Sequence, residues 1–204
     1  MIYGIILAAG EGKRMGKVKL TLPLGDKQLI EWVLQAVKYT PLDKYFLVVR
    51  PEDKEMIKTG EKWGAEIVPN PEYKSGMSSS IRKALHRISS EELEGFFVIL
   101  GDQPLINPSI LFKMICAFTL DKKEILVPFY KEKQGNPVFF DGYWKDELMK
   151  LSGDVGGKVI IKAHPERVKR FKISDKSILL DIDREEDYEK MKNIFDSLHK
   201  RGKI

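Results

Sequence analysis

The chain is poor in the residues that staple or ligate. Cys116 is the single cysteine among 204 residues, which excludes an internal disulfide or a CxxC zinc site and suits a reducing cytoplasm. Flanked by Met114, Ile115 and Phe118, it reads as a small core residue. Its three histidines, His86, His164 and His199, lie far apart without ligand spacing, and no Ser–His or Cys–His arrangement accompanies them. No apolar run reaches the roughly 18 residues that would cross a bilayer, so no membrane partner is expected. The apolar opening, Ile2 to Ala9, lacks a basic flank before it and runs into the glycine-rich, cationic stretch Gly10 to Lys19. It reads as a buried first strand instead of an export signal.

Arginine is scarce too. Only 8 of 35 basic residues are Arg, whereas a protein reading base edges in DNA leans on the planar guanidinium fork. The one suggestive cluster, Arg167, Lys169, Arg170 and Lys172, alternates along an expected strand and so points to opposite faces. The net charge of +5 therefore suits a small anion such as a nucleotide better than a nucleic acid.

What is present is a globular composition, 43% hydrophobic and 32% charged, on a chain long enough to bury roughly 70% of its unfolded surface. Short apolar runs at Ile2–Leu7, Tyr45–Val49, Glu66–Val68, Phe96–Leu100 and Ile125–Phe129 alternate with amphipathic stretches near Gln28–Tyr39, Glu52–Trp63, Ser79–Ile88 and Pro108–Phe118. Runs such as Phe-Phe-Val-Ile-Leu are apolar on both faces, as a sheet covered on both sides requires. The reading is α/β: three layers, Rossmann-like, with a mostly parallel mixed sheet. The later third predicts strands at Ile125–Tyr130 and Pro137–Phe140, a short helix near Trp144–Leu151, a further strand pair at Val168–Ile173 and Ile178–Ile182, and a closing helix at Glu185–Leu198. Residues 1–204 are expected to form one domain, with a nucleotide-binding half to about residue 105 and an acceptor-binding half from about 106.

Two segments carry chemistry. After the first strand, Leu7-Ala8-Ala9-Gly10 leads through Gly12 and Gly16, where backbone N–H groups can approach a polyphosphate, with Arg14 and Lys19 adding charge. The glycine spacing matches neither the dinucleotide fingerprint nor the Walker loop. After the fourth strand, Gly101-Asp102-Gln103-Pro104 places a carboxylate at the carboxyl edge, where open α/β sheets bind ligands and where a hard oxygen donor suits Mg²⁺. Asp183, at the end of Leu-Leu-Asp-Ile-Asp, reads either as a second metal ligand or as the cap of the last helix. The stretch Asn70 to Ile81 passes Gly76 and enters a helix with Ser78, Ser79 and Ser80 at its start. One serine is expected as N-cap, and the others are free to meet a base.

The stretch Leu7 to Lys19, Leu-Ala-Ala-Gly-Glu-Gly-Lys-Arg-Met-Gly-Lys-Val-Lys, resembles the opening motif of GT-A-type nucleotidyltransferases, and with the Gly-Asp-Gln-Pro turn it is similar to the MobA-like branch and its MocA-like molybdenum cofactor cytidylyltransferases. The resemblance implies that Arg14, Lys19 and Asp102 are catalytic. It implies that Leu7, Ala8, Ala9, Gly10, Gly12, Arg14, Lys19, Asn70, Gly76, Ser78, Ser79 and Asp102 bind the nucleotide, Ala9 implying CTP, and that Asp102 and Asp183 hold Mg²⁺. Gly135-Asn136-Pro137 and Leu151 to Lys158 resemble later motifs, so Gln103, Gly135, Asn136, Pro137, Asp154 and Lys158 are expected on the acceptor side. Lys158 stands where the family often has Arg.

The implied activity moves CMP from CTP to the phosphate of molybdopterin and releases pyrophosphate, in the cytoplasm, with a molybdoenzyme or chaperone as an expected recipient. That acceptor phosphate is already ionised at neutral pH, so positioning and charge neutralisation suffice without a general base. The alternatives are nucleotidyl transfer to a sugar phosphate or another small phosphorylated metabolite, and a non-catalytic nucleotide-binding module.

Overall fold

A computed structural model describes residues 1–10, 19–118 and 124–200. Its strands are β1 (Ile2–Leu7), the two-residue ribbon β2 (Pro23–Leu24) and β3 (Lys27–Gln28), β4 (Lys44–Val49), β5 (Glu66–Pro69), β6 (Gly95–Leu100), β7 (Ile125–Tyr130), β8 (Lys133–Gln134), β9 (Val138–Asp141) and β10 (Val168–Lys172). The helices are α1 (Leu29–Lys38), α2 (Lys54–Lys62), α3 (Met77–Leu85), α4 (Pro108–Phe118), α5 (Lys145–Met149), α6 (Lys158–Ala163) and α7 (Glu185–Lys200).

The main sheet runs β10-β7-β9-β6-β1-β4-β5, with β8 paired to β7. β1 pairs in parallel with β4 and β6, β4 with β5, and β7 with β10, while β9 runs antiparallel between β6 and β7. This is the α/β Rossmann-like architecture expected of runs that are apolar on both faces. One buried cluster joins the sheet to α1, α2 and α4, including Val33, Val37, Met56, Leu111 and Ile115. A second, on the opposite face, joins it to α3, α5 and α6 through Ile81, Leu85, Leu148 and Ile160. The seam where β9 enters is aromatic: Phe97 meets Phe139 edge-on at 4.7 Å and Phe96 stacks on Phe140 at 5.7 Å. Each such pair contributes about 0.5–1.5 kcal/mol beyond area burial. This seam places the segments before and after residue 105 in one sheet.

Register decides where function can sit. Leu7 lies beside Leu100 and Val48, and Val49 beside Pro69, so four neighbouring parallel strands end level. The turns that leave them emerge along one edge. α7 then folds back on the amino-terminal part, where Tyr188, Met191 and Phe195 bury against Leu24 and Leu29, and Trp32 meets Phe195 at 4.9 Å.

Two expectations are corrected. Residues 178–182 are not a strand: Lys176–Leu179 form a 3-10 turn, begun by Asp175, whose carboxylate accepts the Ser177 N–H at 2.8 Å. Residues 152–157 form a loop, and helix α6 follows it. Cys116 is exposed, because Ile110, Leu111, Met114, Ile115 and Phe118 form the core stripe of α4 and residue 116 falls on its other side. Among the described residues, no helix is long and apolar enough to cross a membrane.

Candidate active site

A cleft of about 630 Å³ opens at that level edge. Leu7 to Gly10 line it from the end of β1, Leu100 to Asp102 from β6, Arg50 and Asp53 from β4, Tyr73 to Met77 from the turn after β5, and Lys19 and Asp183 close one end. Two glycines are demanded by close approach. The Gly101 N–H donates to the Leu7 carbonyl at 3.1 Å, and a Cβ there would lie 2.8 Å from that oxygen. Gly76 has φ +95°, and a Cβ on it would come within 2.4 Å of the Asp154 Cα. Gly10 differs: among the described residues, a Cβ there would meet nothing within 4 Å.

Lys19 Nζ donates to Asp102 Oδ2 at 2.7 Å and approaches Asp183 Oδ1 at 3.4 Å, so one ammonium bridges two carboxylates that lie about eighty positions apart in the chain. A backbone bond, Ile182 N–H to the Asp102 carbonyl at 3.2 Å, fixes that neighbourhood. The Asp102 carboxyl is only 19% exposed. Burial pushes its pKa above the ordinary 3.8, assisted by Asp181 and Asp183 and opposed by Lys19. Its second oxygen, Oδ1, is buried with no hydrogen-bond partner. An acceptor-only oxygen in that condition, beside a second carboxylate, fits a divalent cation. Among the described residues no group of three or more His, Cys, Asp or Glu is disposed to hold a metal, so phosphate oxygens and water would complete the shell.

The expected residues separate into sets. Leu7, Ala8, Ala9, Gly10, Lys19, Gly76, Asp102, Asp154 and Asp183 line the cleft, while Gly12 and Arg14 lie outside the described residues. Asn70, Ser78 and Ser79 are buried and turned inward. Asn70 Nδ2 donates to Ser79 Oγ at 2.9 Å and to Ser80 Oγ at 3.0 Å, and Ser78 Oγ donates to the Gly153 carbonyl at 2.7 Å. No serine caps α3: Gly76 is its N-cap, and Asp154 Oδ1 accepts the Met77 N–H at 3.2 Å. Asp154, expected on the acceptor side, thus belongs to the turn expected to meet the base.

Gln103, Gly135 and Asn136 gather around the Ile178 carbonyl instead of the cleft. Gln103 Nε2 and the Asn136 N–H both donate to it, at 3.4 and 2.9 Å, and a Cβ on Gly135 would touch it at 2.5 Å. Pro137 follows, buried, after a cis peptide bond. Lys158 is exposed at the start of α6 and is not among the lining residues. Arg50, Asp53, Met56 and Tyr73 were not singled out from the sequence. Their one available signal was position, at the carboxyl ends of β4 and β5.

The chain is similar to purine catabolism protein PucB of Bacillus subtilis, 26% identical and aligned over 92% of this chain and 94% of that protein. It is also similar to a probable molybdenum cofactor guanylyltransferase of Thermococcus sibiricus, 26% identical over 94% of this chain and 97% of that one. The solved structure of Rv0371c from Mycobacterium tuberculosis in complex with manganese superposes with a TM-score of 0.81, at 26% identity, covering 94% of this chain and 97% of that one. Residues 4–168 match the family model of the MobA-like NTP transferase domain, and the chain belongs to that nucleotidyltransferase family.

Proposed function

We propose that the protein transfers CMP from CTP to the phosphate of molybdopterin and releases pyrophosphate. The observation that carries the transfer is the buried, unpartnered Oδ1 of Asp102, a residue that lines the cleft together with Asp183 and the turns at Ala8 to Gly10 and Gly76. Family membership supports nucleotidyl transfer, and the Ala8-Ala9-Gly10 spelling supports cytosine by resemblance.

Asp102 and Asp183 would hold Mg²⁺, which when bound neutralises charge on the triphosphate. Lys19, which contacts both carboxylates, would offer its ammonium to phosphate oxygens as a point charge. The Ala8 to Gly10 turn would face the leaving pyrophosphate, and Arg14, outside the described residues, is assigned to it by resemblance alone. No side chain has to take a proton, because the attacking phosphate is already ionised. The chain's own contribution is orientation and charge. The segments after residue 105 would present the acceptor. Gln103 and Asn136, spent on Ile178, shape that surface, and Asp154 ties it to the turn around Gly76. A reaction of two small metabolites is in keeping with a cytoplasmic protein.

The guanylyltransferase relatives motivate one competing reading, in which GTP is the donor. Purified protein incubated with Mg²⁺, molybdopterin and each NTP in turn tests both. Pyrophosphate release with CTP well above the other three supports the proposal, a preference for GTP replaces the donor, and release only with a different acceptor replaces molybdopterin.

A further inference from the structure

Arg50 is a cation of the cleft that the proposed chemistry does not use; Lys74 also lines the cleft, but it is exposed, with its Nζ 5.8 Å from the Tyr73 ring. Arg50 leaves β4 at the start of a turn in which the Asp53 N–H donates to the Arg50 carbonyl at 3.1 Å, with Pro51 supplying the fixed φ at the second position. Asp53 caps α2 by accepting the Met56 N–H at 3.1 Å and, with its other oxygen, accepts from Arg50 Nη2 at 2.8 Å. The guanidinium is therefore held at a fixed place, with its side chain 18% exposed. Its hydrogen bonding is largely unspent, because Nε is buried without an acceptor and Asp53 takes only Nη2.

Position says what it faces. β4 and β6 lie on opposite sides of β1, so Arg50 and Asp102 are separated by two strand spacings, about 10 Å across the sheet. Asp102, Asp183 and Lys19 mark the phosphate end. The lining on the Arg50 side includes Met56, Tyr73 and Met77, with Lys74 and Ser75 between the last two, and its apolar and aromatic faces suit a flat heterocycle. Phosphates held at Asp102 would leave the ribose and base to bridge toward Arg50.

We propose that Arg50, positioned by Asp53, selects the base of the bound nucleotide. This rests on the reading of the cleft as an NTP site. Paired guanidinium donors match two adjacent acceptors on a ring edge. Cytosine offers them at O2 and N3, and guanine at O6 and N7. Uracil places an N–H between its carbonyls and adenine places an amino group beside its ring nitrogen, so each opposes a donor with a donor. Arg50 thus separates cytosine or guanine from uracil and adenine, and the two preferred bases are told apart by which nucleotide binds.

The experiment is equilibrium binding of CTP, UTP, GTP and ATP, each with Mg²⁺, to the wild type, Arg50→Met, Arg50→Lys and Asp53→Asn. The methionine keeps the packing stem, the lysine keeps the charge without the fork, and Asn keeps the helix cap. We expect wild-type discrimination of about 10- to 100-fold, CTP over UTP, collapsing to within a few-fold in both Arg50 variants and narrowing in Asp53→Asn. Collapse of a GTP-over-ATP preference instead supports base selection by Arg50 while overturning cytosine as the base. Equal weakening of all four nucleotides identifies a phosphate contact and overturns the proposal, as does an unchanged ratio in folded Arg50→Lys. Wild-type protein that binds none of the four overturns the NTP reading itself, and base selection with it.

Discussion

Lys19 holds together a pair of carboxylates that would otherwise repel, and the cost of that arrangement falls on Asp102. Burial raises its pKa above 3.8, so the folded protein resists its ionisation. As pH rises from 3.8 through the folded value, ionisation withdraws stability, and above that window the loss is complete. Asp102→Asn carries no such loss. Its melting temperature should equal or exceed that of the wild type at pH 7, with the difference disappearing below 3.8, while pyrophosphate release is abolished. Thermal melts from pH 3 to 7 check this, and a large drop at pH 7 would make Asp102 a structural partner of Lys19. That Asp102 lines the cleft was readable because it stands in the turn that leaves five apolar strand residues, one glycine beyond them. The inward orientation of Asn70 and Ser79 was not, because a polar residue in a turn reads alike whether it faces a ligand or a neighbouring hydroxyl. Cys116 was misplaced because adjacency in sequence says less than the angle around a helix.

At the scale of elements, α1 and α2 are joined by one side chain. Glu31 Oε2 accepts the Gln28 N–H at 2.9 Å at the start of α1, while Oε1 accepts from Trp63 Nε1 and Lys62 Nζ, both at 3.0 Å. Burial alone would raise its pKa, but the Gln28, Trp63 and Lys62 donors together hold it below 4.5. A depressed carboxylate contributes stability above 4.5 and loses it as pH falls through the folded value. Glu31→Gln should cost about 1.5–3 kcal/mol at pH 7, measured by urea unfolding, with the deficit vanishing in acid. The parallel strands and long helices were legible from periodicity. The 3-10 turn at Lys176–Leu179 and the short helix α6 were not, since apolar runs of four or five residues carry no period that separates strand from turn, and their conformations follow from Asp175 and from packing against β9.

Across the whole molecule, function is gathered by level strand ends. β1, β4, β5 and β6 stop together, so residues near 8, 50, 76 and 102 share a cleft although up to about a hundred positions separate them. The antiparallel β9, with its aromatic seam, carries the later segments onto the same sheet, and α7 returns to bring Asp183 beside Asp102. Motif order in the sequence pointed to the end of the cleft lined by Gly10, Lys19 and Asp102. The opposite wall, Arg50 with Met56 and Tyr73, emerged only from strand order and register.

The most direct test is a crystal grown with Mn²⁺ and CTP, with anomalous scattering used to find the metal. The account calls for an anomalous peak bonded to Asp102 Oδ1 and shared with phosphate oxygens, Asp183 on the same ion, and Lys19 Nζ moved from Asp102 to the triphosphate. Manganese bound elsewhere, with the Lys19–Asp102 pair intact beneath the nucleotide, would contradict it.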